Sequence, residues 1–154
     1  MPTNPDDTDL WASMYLELVD RPTEALGPRE LEQLAESSDL IGDDDGCAAA
    51  WEAAHLRHIV AVIRSDAGRC SFCLSFCLLL RGHMGQAGGW LVRTEASFCD
   101  DLDCITRGYV LIPALLGALE SGDATAARDL AITAAKIANE FGDADLGAFA
   151  GLGE

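Results

Sequence analysis

Basic residues are scarce in this chain. Lysine and arginine together number 10 against 26 aspartates and glutamates, a formal net charge of -16 over 154 residues. A duplex or single strand is held by Lys and Arg neutralising phosphates, so this balance excludes direct nucleic-acid binding as the main task. It equally opposes an anionic membrane surface. Aromatics make up only 6%. Valine and isoleucine never alternate with polar residues, which leaves no convincing strand. Long apolar runs are missing as well. The longest, Cys73 to Leu80, is interrupted by Ser75 and falls far short of the roughly 20 residues that span a bilayer. Met1 to Asp9 carries acids and no basic segment followed by an apolar one, so no signal peptide is expected. These absences point to a cytoplasmic chain whose six cysteines stay reduced.

Alanine and leucine dominate what remains. Hydrophobic residues reach 49%, enough for one domain with its own core, and the alanine–leucine balance favours helix. Residues 1–9 read as an acidic flexible leader and 10–154 as a single helical domain. Leu10, Met14 and Leu18 stand at helical spacing. Pro28 suits a first helical position, and Leu31, Leu34 and Ala35 continue from it. Further helical stripes run through Trp51, Ala54 and Ile59, through Cys70, Cys73 and Cys77, through Ala87 to Leu91, through Tyr109 to Leu119, and through Ala127 to Phe141. Turns are expected at 43–46, 65–68, 100–103 and 121–123. Pro113 predicts a kink near Tyr109 to Ile112.

A 40-residue period organises these helices. Gly42, Gly82 and Gly122 each end one helix, and small residues follow at fixed offsets. Cys47, Ala87 and Ala127 come first, then Trp51, Leu91 and Ala131, then Ala54, Thr94 and Ala134. Each unit reads as a helical hairpin whose second helix packs closely on the first. One hairpin cannot bury its apolar face alone, so the units must stack. An irregular bundle with coincident glycines is the competing reading.

The small–large–small pattern resembles the second-helix signature of tetratricopeptide repeats, although that repeat is typically about 34 residues long. Its usual first-helix Trp-Leu-Gly-Tyr pattern is not recoverable here. A closer resemblance covers residues 28–153. Leu26-Gly27-Pro28-Arg29-Glu30-Leu31, Leu78-Leu79-Leu80-Arg81-Gly82, Gly88-Gly89-Trp90-Leu91, Arg107-Gly108-Tyr109 and Phe141-Gly142-Asp143-Ala144-Asp145-Leu146 are similar to the helical-repeat part of certain actinobacterial LuxR-type regulators. The resemblance implies an all-α, tetratricopeptide-like array of about three antiparallel hairpins, an α-α superhelix, engaged in regulation or protein contact. That family places a helix-turn-helix after the array. Nothing up to Glu154 matches one, so DNA binding is not implied for these residues.

Several residues invite a chemical reading. Cys70, Cys73 and Cys77 share one helix face and, with His55 or His58, could supply zinc ligands. Core packing is the expected role, because cysteine behaves there as a small hydrophobe; a thiol switch is the other alternative. Cys99 and Cys104 flank Asp100, Asp101 and Asp103, whose charges raise a thiol's pKa and disfavour a nucleophile. Asp43, Asp45, Gly46 and Glu52 fit part of a calcium loop, but Ile41 stands at its first ligand position, so helix capping explains the acids better. Gly85, Gly88 and Gly89 lack the strand and the Lys-Ser/Thr pair of a phosphate loop and are expected at a close helix–helix approach. No catalytic motif is recognisable.

Thr106, Arg107 and Tyr109 belong to the third hairpin's first helix. In tetratricopeptide-like arrays first helices line the groove, so these residues, with Trp90, are the expected contacts to a partner or ligand. Arg107 could instead pair with Asp103. The chain therefore reads as a non-catalytic interaction or regulatory module, with no cofactor, that binds a protein or peptide or a second copy of itself. The alternatives are a small-molecule sensor with a pocket at Trp90, Tyr109 and the cysteines, and a metal or thiol sensor at Cys70, Cys73 and Cys77.

Overall fold

The computed structural model describes residues 5–97 and 105–153. Among these residues every regular element is helical: α1 (Pro5–Leu18), α2 (Pro28–Ile41), α3 (Asp44–Val60), α4 (Arg64–Leu80), α5 (Met84–Ala96), α6 (Thr106–Ser121), α7 (Ala124–Phe141) and α8 (Ala144–Ala150). Single 3-10 turns cover Thr23–Ala25 and Gly151–Gly153. Among the described residues no helix is long and apolar enough to cross a membrane. Of the expected acidic leader, 5–9 are the first turns of α1, and 1–4 lie outside the described residues.

The turns follow one rule. Gly42, Gly82, Gly122 and Gly142 all take positive φ, between 66 and 83 degrees, and so does Val62 at 61 degrees. These positions are separated by 20 residues or by 40; the twentieth position between Gly82 and Gly122 falls at Leu102, outside the described residues. At each stop the next amide reaches back five residues: Asp43 to Ser38, Ile63 to His58, His83 to Leu78, Asp123 to Ala118 and Asp143 to Ala138, all at 2.8–2.9 Å. This closes the helix in a Schellman turn. The same loop starts the next helix. Asp43, Asp123 and Asp143 accept from the amides of Gly46, Ala126 and Leu146 at 3.0, 3.0 and 2.8 Å, satisfying donors that the first turn leaves open. A left-handed stop followed by an aspartate cap thus turns the chain in very few residues, and successive helices pack side by side.

Consecutive helices from α1 to α5 pack on their neighbours, as do α6, α7 and α8, and α4 and α5 both touch α6. Three hairpins, α2–α3, α4–α5 and α6–α7, turn at Gly42, Gly82 and Gly122 as expected. The small residues of the second helices are buried: Cys47 and Ala54, Ala87 and Thr94, and Ala127 and Ala134. Two apolar clusters form the core. Leu31, Ala35, Cys47, Trp51, Leu74 and Leu78 belong to one; Tyr109, Ile112, Leu115, Ala131, Ala138 and Leu146 to the other. Helix α4 feeds both, with Leu74 in the first and Phe72 in the second.

Two expectations need correction. The turn placed at 65–68 lies at 61–63, and 65–68 form the first turns of α4. Gly68 is not a turn residue: a Cβ there would lie 2.8 Å from Thr106 Oγ1 and 3.3 Å from Ser97 Cβ, so it marks close approach of α4 to α6. Conversely, Gly85, Gly88 and Gly89 are exposed on α5, and added Cβ atoms at Gly85 and Gly88 would meet nothing. They mediate no close packing, and nothing in the structure explains them. Helix α6 runs through Pro113, whose ring leaves the Tyr109 carbonyl without its usual helical donor.

Candidate binding groove

From Cys70 onward helix α4 is apolar except at Ser71 and Ser75. One stripe, Cys70, Leu74 and Leu78, enters the core. A second, Cys73, Phe76, Cys77 and Leu80, stands at i, i+3, i+4 and i+7 and forms the floor of an open groove of about 720 Å³. Helix α2 supplies one wall through Glu36, Asp39 and Leu40, and α8 the other through Asp145, Ala148 and Phe149. Trp11 of α1, Trp51 of α3 and Leu152 close the ends. Phe76 is held by Phe149, ring centroids 5.0 Å apart and nearly perpendicular, and stacks on Phe72 at 5.9 Å. The floor is thus a packed aromatic–thiol surface.

The polar rim is mainly acidic, from Glu36, Asp39 and Asp145, with Arg69 as its cation. Burial pushes the Glu36 carboxyl above the ordinary range, against the pull of Arg69. Burial also pushes the Cys73 thiol up to about 12, so this sulfur is an uncharged apolar contact at neutral pH.

Behind the groove lies a buried charge network. Arg69 Nη2 donates to Glu32 Oε2 at 2.6 Å, and Arg29 Nη1 reaches the same oxygen at 3.1 Å. His58 Nε2 lies 2.6 Å from Glu32 Oε1. Cys70 Sγ is 3.8 Å from that oxygen, and burial together with the Glu32 charge raises its pKa. Burial opposes ionisation of Glu32, but the His58 hydrogen bond and the charges of Arg69 and Arg29 outweigh it and hold the carboxyl below its ordinary range. Arg69 therefore presents a fixed cation at the groove, locked from behind by Glu32.

A third cluster sits on the wall between α2, α3 and α4. Cys47 and Cys77 Sγ atoms are 4.0 Å apart, and Cys47 Sγ is 3.9 Å from Asp39 Oδ1. Arg81 Nη2 bridges Asp39 Oδ1 at 2.7 Å and Asp44 Oδ1 at 2.9 Å. The contact between the two sulfurs, helped by Arg81, lowers the Cys47 thiol's pKa and raises that of Cys77.

The three cysteines of α4 are thus not one ligand set. Cys70 faces Glu32, Cys73 faces the groove and Cys77 faces Cys47. The expected partner-contact residues are not brought together either. Thr106 and Tyr109 are fully buried, and the Tyr109 hydroxyl donates to the Asp143 cap at 2.9 Å. Burial and the Asp143 charge both raise its pKa. Arg107 is exposed on α6, and Asp103 lies outside the described residues. Trp90 packs edge-on against His55, centroids 5.3 Å apart, under the Arg93 guanidinium at 4.5 Å, away from the groove. His55 is engaged in structure, donating Nδ1–H to the Ala67 carbonyl at 2.8 Å. Cys99 and Cys104 lie outside the described residues.

Sequence reasoning missed Trp11, Glu32, Glu36, Asp39, Arg69 and Phe76. Two signals were present. Glu32, Glu36 and Asp39 make an i, i+4, i+7 acidic stripe beside the apolar stripe of α2, and α4 carries one apolar stripe more than a single core contact needs.

Comparison of the chain with known protein families, with curated proteins and with solved structures finds no match in any of the three.

Proposed function

We propose that the chain is a non-catalytic interaction module, acting in the cytoplasm, whose groove between α2, α4 and α8 receives a cationic amphipathic helical segment of a partner protein. The observation that carries this reading is the groove itself: an apolar floor of Cys73, Phe76, Cys77 and Leu80, flanked by Phe149, under a rim of Glu36, Asp39 and Asp145. An amphipathic helix laid into such a groove buries its apolar face and brings its basic residues to the acids. The net charge of -16 adds long-range attraction for the same class of partner. Grooves formed by alternate helices are what a tetratricopeptide-like array offers, and the resemblance to the helical-repeat part of LuxR-type regulators supports a regulatory setting.

A second reading draws on the groove's volume of about 720 Å³, within the range that holds a small organic ligand. Its acidic rim selects a cation there too.

Calorimetric titration with a model helix of leucine and lysine at amphipathic spacing tests the proposal, with an acidic helix of the same apolar pattern as comparison. The lysine helix binds and the acidic one does not. Leu40→Arg and Leu80→Arg change exposed groove side chains, leave the core intact and weaken the lysine helix at least about tenfold. Val92→Arg, exposed on α5, leaves binding unchanged. Equal affinity for both helices, or indifference to the two groove variants, contradicts the proposal.

A further inference from the structure

Two groups of metal-ligating atoms stand out among the described residues: Glu32, His58 and Cys70, and Asp39, Cys47 and Cys77. Their geometry separates them. Two ligands of one tetrahedral zinc-type ion are held apart by the metal. Zn–S bonds of about 2.3 Å place two sulfurs about 3.8 Å apart, and one sulfur about 3.6 Å from a ligating oxygen. The 2.6 Å contact between His58 Nε2 and Glu32 Oε1 is a hydrogen bond, too short for two ligands of one ion. The remaining Glu32 oxygen is taken by Arg69 and Arg29. Both Glu32 oxygens are thus engaged without a metal, while His58 Nδ1, on the other side of the ring, has no hydrogen-bond partner.

The second group has the other spacing. Cys47 Sγ to Cys77 Sγ is 4.0 Å, Cys47 Sγ to Asp39 Oδ1 is 3.9 Å, and all three ligand atoms lie within 4.8 Å of one another. The two edges at Cys47 are within a few tenths of an ångström of a tetrahedral face, and the third, Cys77 to Asp39, is at most 4.8 Å, so a side-chain rotation completes the face. The ligands come from α2, α3 and α4, so the backbone that spaces them is held by helix packing. We infer that Cys47, Cys77 and Asp39 form a binding site for a single thiophilic divalent cation of the zinc class, set in the groove wall.

A divalent ion displaces one proton from each thiol, and two thiolates with one carboxylate leave the site at minus one. Arg81, on Asp39 at 2.7 Å and shared with Asp44 at 2.9 Å, offsets part of that charge and fixes the carboxylate from outside. Cys77 and Asp39 both line the groove, so the fourth coordination position opens to solvent or to a groove ligand's donor atom. The soft sulfur pair selects zinc, cobalt or cadmium over magnesium and calcium. This inference goes beyond the proposed function and stands whether or not a helix binds in the groove.

Cobalt(II) titration of the reduced full chain under anaerobic conditions tests it. One equivalent produces sulfur-to-cobalt charge-transfer absorption and the intense d–d bands of a tetrahedral site. Zinc bleaches both and magnesium bleaches neither. Affinity rises with pH as the two protons leave. Cys77→Ser and Asp39→Asn, at half-buried and exposed positions, keep the helical circular-dichroism spectrum and weaken cobalt at least about tenfold. Cys70→Ala leaves the titration unchanged. The inference is overturned if stoichiometric cobalt gives no thiolate bands, if Cys77→Ser titrates like the parent, or if Cys70→Ala abolishes the bands. A thiol count showing Cys47 and Cys77 already joined as a disulfide overturns it as well.

Discussion

Val62 carries the cost of a regular fold at an irregular residue. It occupies the left-handed position that glycine fills at 42, 82, 122 and 142, with φ of 61 degrees. A β-branched side chain there crowds its own backbone, at about 1–2 kcal/mol. The residue is 77% exposed, so little packing offsets that strain. Val62→Gly is expected to stabilise the chain by about 1 kcal/mol, after allowing for the added freedom of the unfolded chain. The melting temperature rises by about 2–4 °C, with no change in denaturant slope. A lower midpoint would show that Val62 is held by contacts the turn geometry does not capture.

The same residue explains what was legible in the sequence and what was not. Glycine stops at 42, 82 and 122 announced themselves, because only glycine takes that conformation freely. A valine in the same role sends no such signal. The sequence therefore points to 65–68 for the turn between α3 and α4, where Gly68 serves contact with Thr106 instead. Tyr109 and Thr106 are expected in a groove because first helices line it in tetratricopeptide-like arrays. Their hydroxyls in fact belong to the interior, and only the Asp143 cap 34 residues away from Tyr109 reveals that.

Among the elements, α4 decides most. Its apolar residues exceed one stripe, and sequence periodicity alone cannot say whether the surplus is core or groove. The answer comes from α2 and α8, which cover its flanks and leave Cys73, Phe76, Cys77 and Leu80 as a floor. Helix α2 is tied to α3 and α4 by Glu32, which meets His58 and Arg69. The Glu32 carboxyl is held below its ordinary range in the fold. Its stabilising contribution is therefore complete above the unfolded-state carboxylate pKa and is lost as pH falls through the depressed folded value. Glu32→Gln should cost roughly 3–5 kcal/mol at neutral pH, since it leaves the largely buried Arg69 guanidinium without its counter-charge. It should also make stability fall less steeply with acid. Denaturant melts across the acidic range check both; a variant with the parent's acid slope would assign that dependence to other carboxylates.

At the scale of the whole molecule, charge and shape act together. The net charge of -16 favours cationic segments over phosphate-bearing surfaces, the partner class the proposed function names. The helical stack leaves the second stripe of α4 uncovered between two acid-bearing helices, the place proposed for such a segment. The overall helical class was readable from composition and from the glycine period. The groove was not, because it depends on which stripes of three separated helices meet. The three tryptophans report on it directly. Trp11 and Trp51 border the groove, whereas Trp90 packs on His55 and Arg93 elsewhere. In a nitrogen–proton correlation spectrum each indole gives its own signal. On addition of the leucine–lysine helix, the Trp11 and Trp51 indole signals are expected to shift and that of Trp90 to stay. Movement of Trp90 alone, or of none of the three at saturating helix, would contradict the assignment of the groove.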